Sequence, residues 1–174
     1  NLEAFYKDRG YLQFSLDSSQ VSISDDLEEL FITLIVKEGE QYTVSNTKIS
    51  GDLPLEKSFF EEFINIPEGS FYSESLITSY EEFFANILGN EGYTFAEVEG
   101  VPTINEEDKS AEITFLFNPG RKNYTRRIIF NGNDFTTDEV LRREMRQFEG
   151  APASNQQIEN SKILLERTGY FKTV

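Results

Sequence analysis

The sequence runs to 174 residues with 31 acidic and 16 basic side chains, a net charge of −15, and neither Cys nor His. Disulfides, thiolate nucleophiles, imidazole bases and Cys- or His-ligated zinc are therefore excluded, and the acidity argues against nucleic acid, whose phosphates need Lys and Arg. Apolar residues make up only 38% of the chain but include 16 Phe and 8 Tyr, a mixture that suits several small aromatic cores better than one large core.

In chain order, residues 2–8 read as the tail of a helix. Residues 12–23 and 30–37 form a β-hairpin, with Ile32, Leu34 and Val36 on one face. Residues 42–50 are a strand closed by Gly51. Residues 58–66 place Phe59, Phe60, Phe63 and Ile64 on one helical face, and Pro67-Glu68-Gly69 breaks that helix. Ser73 is suited to cap the next helix, which carries Leu76, Ile77, Tyr80, Phe83, Phe84, Ile87 and Leu88 at three-four spacing and ends near Gly89 and Gly92. Two strands follow over 94–101 and 111–118, joined by the polar turn Asn105-Glu106-Glu107-Asp108; the second alternates Ile113, Phe115 and Phe117 with Thr114 and Leu116. Residues 124–131 are a further strand. Residues 136–148 are a helix opened by a Thr136-x-x-Glu139 capping box, and 154–168 a helix opened by Ser154-x-x-Gln157. Residues 170–174 read as a strand just beginning. Both ends look cut, so a segment of a longer chain is expected.

The elements repeat. Gly39, Gly51 and Gly69 recur as Gly120, Gly132 and Gly150, each pair 81 residues apart. A Gly-Tyr marker occurs three times, as Arg9-Gly10-Tyr11, Glu91-Gly92-Tyr93 and Thr168-Gly169-Tyr170, spaced 82 and 77. A period near 80 is long for a solenoid and fits tandem small domains. The expected divisions are 1–40 (the second half of a unit), 41–120 (a complete unit) and 121–174 (the first part of a unit). The complete unit reads β-α-α-β-β, an α+β fold. Short connections give it a three-stranded mixed sheet with the third strand central, the second strand at an edge, and two antiparallel helices on one face.

Several groups invite a functional reading. Residues 1–120 hold 24 acidic and 6 basic side chains, whereas 121–174 hold 7 and 10, so the last segment suits a different partner. Arg142, Arg143 and Arg146 cluster on the predicted helix over 136–148, with Glu149 two turns beyond Arg142; the simpler reading is a solvated face with Asp138 paired to Arg142. Edge strands offer unpaired backbone groups to an incoming extended chain, over residues 13–22 (Gln13, Phe14, Ser15, Leu16, Asp17, Ser19 and Val21 among them) and over 96–101. Glu97, Glu99, Gly100 and Pro102 would protect the second edge. The acidic stretches Asp25-Asp26-Leu27-Glu28-Glu29 and Glu106-Glu107-Asp108 lack the ligand alternation of a calcium loop and read as solvated hairpin turns. No metal or cofactor is expected. A carboxylate-dependent hydrolase is the competing class, weakened by the repeat and by modules too small to enclose a deep pocket.

The stretch Val140-Leu141-Arg142-Arg143-Glu144-Met145-Arg146-Gln147-Phe148-Glu149-Gly150 resembles the first helix of the last polypeptide-transport-associated (POTRA) domain of the BamA family. Arg127-Ile128-Ile129-Phe130-Asn131-Gly132-Asn133 is similar to the strand and turn before it, and Asp8-Arg9-Gly10-Tyr11 with Ser18-Ser19-Gln20-Val21 is similar to the end of the third domain. The resemblance implies the end of POTRA 3, all of POTRA 4 and the first part of POTRA 5. It further implies a non-catalytic periplasmic scaffold of the outer-membrane β-barrel assembly machine in Gram-negative cells. Its partners would be a BamD-like lipoprotein at the last domain, a BamB-like one near the first unit, unfolded outer-membrane proteins, and the chain's own membrane barrel. POTRA arrays of two-partner secretion or organelle import are the nearest alternatives.

Overall fold

The computed structural model describes residues 2–24, 26–171 and 173–174. Its elements are α1 (Leu2–Lys7), β1 (Ser15–Ile23), β2 (Leu30–Lys37), β3 (Thr43–Gly51), α2 (Lys57–Glu61), α3 (Glu74–Asn90), β4 (Glu97–Asn105), β5 (Ser110–Asn118), α4 (Asp138–Glu144) and α5 (Asn155–Arg167). Contacts divide the chain into two compact units. One contains residues 1–50, 57–80 and 99–116, and the other contains 51–56, 81–98 and 117–174.

The sheet has the order β3-β5-β4, so the last strand of the β-α-α-β-β module is central and the second lies at an edge, as the topology argument requires. The Thr43 amide donates to the Lys109 carbonyl (3.1 Å) at one end of β3, and the Asp52 amide to the Phe117 carbonyl (3.0 Å) at the other. Both strands therefore advance together, which makes β3 parallel to β5 and the sheet mixed. Along β5, Ala111, Ile113, Phe115 and Phe117 are buried while the residues between them are not. That period of two puts one face of the central strand in the core. Glu112 lies on the other face and pairs with Lys48 (2.8 Å).

In the first unit, Ile77 and Phe60 are buried, and the Tyr80 ring lies 5.9 Å from that of Phe115. In the second, Phe84 and Leu88 are buried, with Phe84 5.4 Å from Phe117. Ile77, Phe84 and Leu88 fall on one stripe of α3, the expected core face; Leu76 and Phe83 lie at its exposed margin. Ser73 caps α3 as expected, its hydroxyl accepting from the Leu76 amide (3.3 Å).

Several elements are shorter than their patterns suggest. The helix expected over 58–66 is only Lys57–Glu61, and of its aromatic face Phe60 is buried while Phe59 and Phe63 stay exposed. The bonds from Phe63 to the Phe60 carbonyl and from Ile64 to the Glu61 carbonyl close tighter turns on the way to Pro67. The strand expected over 124–131 is reduced to a single bridge between Tyr124 and Pro152. Among the described residues no central strand lies beside it, and a strand without a ladder partner is not a strand. Residues 170, 171, 173 and 174 form no strand either; Lys172 lies outside the described residues.

The repeat survives in the contacts even where the strand does not. Val44 exchanges backbone bonds with Ser70 and Gly69, and the Tyr72 amide reaches the Tyr42 carbonyl. Eighty-one positions on, Thr125 does the same with Ala151 and Gly150, and Ala153 reaches Asn123. This short clasp ties residues 42–44 to the loop between α2 and α3, and residues 123–125 to the loop between α4 and α5.

Candidate partner-binding surfaces

The basic segment of the last unit folds differently from a continuous helix. α4 stops at Glu144, and Met145 is already extended at φ −69° and ψ 136°. Arg146 and Glu149 therefore lie off the helix expected over 136–148. The N-cap is Thr137 rather than Thr136, and it makes no side-chain capping bond, so the Thr136-x-x-Glu139 box is not formed. Two polar side chains hold the non-helical turn. Buried Gln147 donates from Nε2 to the Phe148 and Pro152 carbonyls (3.2 and 3.0 Å) and accepts from the Ser154 amide (2.8 Å). The Ser161 hydroxyl accepts from the Arg146 and Gln147 amides (2.8 and 3.2 Å). Sequence reasoning missed both, because a Gln beside charged residues reads as a solvated helix position.

Arg142 and Glu149 nevertheless meet. Arg142 Nη1 lies 3.3 Å from Glu149 Oε1, and Nη2 donates to the Ile128 carbonyl (3.0 Å). The Ile128 amide donates back to Glu149 Oε1 (2.7 Å). That backbone bond, with the Arg142 guanidinium behind it, holds the Glu149 carboxyl below its ordinary range. The guanidinium also lies over the Phe130 ring at 5.4 Å. Asp138, the alternative partner of Arg142, instead accepts from Asn133 Nδ2 (2.9 Å). Ile128, Arg142, Met145, Gln147, Phe148 and Glu149 line an open cavity of about 330 Å³, and Phe148 is 62% exposed at its side. Arg143 and Arg146 are exposed, with Arg146 Nη1 weakly bonded to the Arg143 and Met145 carbonyls (both 3.4 Å).

The opening hairpin is exposed on both faces, Ile32 and Leu34 on one and Phe31 and Ile35 on the other. Among the described residues, β1 pairs only with β2, in a two-stranded sheet that leaves its second edge open. The expected edge residues divide there. Phe14 is buried, stacked on Tyr6 at 4.3 Å, and faces no incoming chain. Gln13 precedes the strand, which begins at Ser15. A bulge between Leu16 and Ser18 leaves Asp17 out of register, where it pairs with Lys37 (2.9 Å). Ser19 and Val21 lie on the regular stretch beyond it, and both are exposed. In β4 the edge is interrupted by Pro102, which has no N–H to offer.

The acidic stretches form turns. Asp26 accepts from the Ser24 hydroxyl and from the Glu28 amide (3.2 Å); Asp25 lies outside the described residues. Asn105 accepts from the Glu107 amide (3.0 Å) and donates to Asp108 (2.9 Å). Among the described residues, the carboxyls of Asp8, Asp26 and Glu149 all titrate below their ordinary values because hydrogen bonds favour the charged form. Groups so held keep their charge near neutrality, unlike a general acid, whose pKa is raised.

One three-stranded mixed sheet built in the order β-α-α-β-β, with glycines and backbone contacts that recur 81 residues later, defines a protein of the small repeated α+β module class. The chain belongs to the POTRA family: the family model described as surface antigen variable number repeat matches residues 42–120 and 123–174. It is 32% identical over 171 residues to the outer membrane protein assembly factor BamA of Neisseria meningitidis serogroup B, covering 98% of this chain and 22% of that protein. BamA of Buchnera aphidicola is 32% identical over 174 residues, with 28% of its length covered. The crystal structure of Haemophilus influenzae BamA POTRA3-5 is similar at TM-score 0.84 and 32% identity, across 99% of this chain and 68% of that one. The chain thus spans under a third of the curated relatives it matches.

Proposed function

We propose that this chain is a periplasmic scaffold segment of the outer-membrane β-barrel assembly machine, without catalysis of its own. It would be joined in the full protein to a membrane barrel. Its divisions are the end of one POTRA domain (1–40), a complete one (41–120) and the first part of a third (121–174). The docking face for a BamD-like lipoprotein is the surface around Arg142 and Glu149, with Arg143 and Arg146 as flanking charge. The observation that carries this is the exposed Phe148 beside the Arg142–Glu149 pair. An exposed aromatic ring beside an Arg combines two residue types enriched at interfaces. A BamB-like lipoprotein and extended outer-membrane clients suit the open edges of the hairpin and of β4, which offer main-chain pairing without reading sequence.

Calorimetry of the fragment, extended to complete its last domain, against its cognate BamD-like lipoprotein tests the docking face. Arg142→Glu alone is ambiguous, because Arg142 also holds the Ile128 carbonyl. The exchange Arg142→Glu with Glu149→Arg restores an ion pair but inverts the charge pattern. Binding lost in both variants supports direct docking. Binding regained in the exchange makes the pair a local brace and moves the docking face elsewhere.

A further inference from the structure

The contacts between successive repeats follow a rule. Asp8 immediately follows α1, two residues before Gly10, and Asn90 ends α3, two residues before Gly92. Asp8 Oδ1 accepts from the Ser73 hydroxyl (3.1 Å) and the Ser75 amide (2.7 Å), at the N-terminus of α3. Asn90 Oδ1 accepts from the Ser154 hydroxyl (3.2 Å) and the Gln156 amide (2.9 Å), at the N-terminus of α5. The two acceptors are 82 residues apart and both pairs of donors 81 apart. In each case the end of one helix supplies a side-chain oxygen to the start of the corresponding helix one repeat later.

A second contact accompanies each. The Gly10 carbonyl accepts from the Tyr42 amide (2.8 Å), and the Gly92 carbonyl from the Asn123 amide (2.8 Å). Both glycines have positive φ, +92° and +102°, and a Cβ at Gly10 would sit 2.8 Å from the Tyr42 carbonyl. The Gly-Tyr marker is therefore the backbone half of a joint, and the acceptor two residues upstream is its side-chain half. Helix electrostatics favour this use. A carboxylate at a helix C-terminus faces the negative end of the dipole, whereas at the next helix N-terminus it faces the positive end and free N–H groups. Asp8 is thus poorly placed for its own helix and well placed for the following one.

We propose that Asp8 and Asn90 are the joint residues of the array, each capping the next repeat's second helix and thereby fixing the angle between neighbouring repeats. The third marker departs from the rule. Two residues before Gly169 stands Arg167, in the last turn of α5, a donor that cannot accept from a helix N-terminus. A capped joint of this kind cannot form there. This rule stands apart from the lipoprotein reading and survives if that reading fails.

The chain has no Cys, so introduced pairs are unique labelling sites. Spin labels at Glu28→Cys with Glu106→Cys report on the first joint, and at Glu97→Cys with Lys162→Cys on the second, through the width of the distance distribution. Asp8→Asn and Asn90→Asp keep an acceptor and are expected to preserve the parent widths. Asn90→Arg, which places the third marker's residue in the second joint, and Asp8→Arg are expected to broaden their own distribution at least twofold and leave the other unchanged. Asp8→Ala and Asn90→Ala remove the acceptor without adding bulk and are expected to broaden it too; circular dichroism confirms that each variant retains its helices. Parent widths in both Ala variants overturn the proposal. So does broadening by Asp8→Asn or Asn90→Asp equal to that of the Ala variants.

Discussion

Gly51 and Gly132 are equivalent by the repeat and have similar backbone angles, φ +103° and +82°, yet their surroundings differ. A Cβ at Gly51 would sit 2.2 Å from the Phe117 carbonyl oxygen and 2.8 Å from its nitrogen, while at Gly132 it would meet nothing within 4 Å. Ala at either position carries the left-handed penalty of about 1–2 kcal/mol. At Gly51 the opposing atoms are backbone of the central strand, so relief requires β3 to move away from β5. That adds lost packing of about 1–3 kcal/mol and weakens the Asp52–Phe117 bond by about 1 kcal/mol. Gly51→Ala is therefore expected to cost about 3–6 kcal/mol against about 1–2 for Gly132→Ala, within a total stability on the order of 5–15 kcal/mol. Urea unfolding followed by circular dichroism measures both, and with a slope of about 1–3 kcal/mol per molar the midpoints separate clearly. Equal midpoint shifts for the two variants would refute the close approach as the reason for Gly51.

The caps give a sharper contrast between pattern and structure. Ser154, 4% exposed with its hydroxyl accepting from the Gln157 amide, is expected to lose about 1–2 kcal/mol on Ser154→Ala, whereas Thr136→Ala, at a box that does not form, should change the urea midpoint little. The Ile128 amide, with Arg142 behind it, holds the folded-state pKa of Glu149 below the ordinary carboxylate range. Its stabilising contribution is thus fully present above the ordinary carboxylate range and disappears as pH falls through the lower folded value. In Glu149→Gln the acid-side loss of stability should shrink, read as the difference between pH titrations of the two proteins; parallel titrations would refute the assignment.

Local pattern dictates part of this fold. β5 alternates strictly and α3 keeps three-four spacing over several turns, so each declares both its type and its buried face, and the strand order follows from short connections. The rest depends on partners distant in sequence. Residues 124–131 carry a good strand pattern, but a strand exists only where a neighbour accepts its bonds. The helix over 136–148 stops at Glu144 because Gln147 and Ser161 hold the next residues in an extended turn, through contacts 14 to 15 residues apart along the chain. Arg142 and Glu149 were linked by helix periodicity and are in contact for a different reason, the return of the chain past Ile128. Asp8 and Asn90 do not read as a pair in the sequence because one side chain is charged and the other neutral. Their shared property, an acceptor oxygen at one offset from the Gly-Tyr marker, shows only when the repeats are aligned on that marker.

The edges of β1 and β4 differ in what they can offer an incoming strand. In β4, Pro102 removes one N–H from the middle of the strand. In β1, the bulge breaks register between Leu16 and Ser18, but Ser18 through Ile23 run in unbroken register with β2. If clients pair with an edge, the regular half of β1 is the better template. Successive N–H groups of an edge strand point alternately toward its partner and away from it. Of the adjacent substitutions Ser19→Pro and Gln20→Pro, one therefore breaks a bond to β2 and the other blanks an outward donor. Amide spectra of the hairpin identify which is which, since only the first disturbs β2. The outward variant is expected to keep the hairpin and weaken binding of an extended peptide from an outer-membrane β-strand about tenfold, the loss of roughly one well-formed bond. Unchanged binding in that variant, with the hairpin intact, would show that clients do not add to this edge.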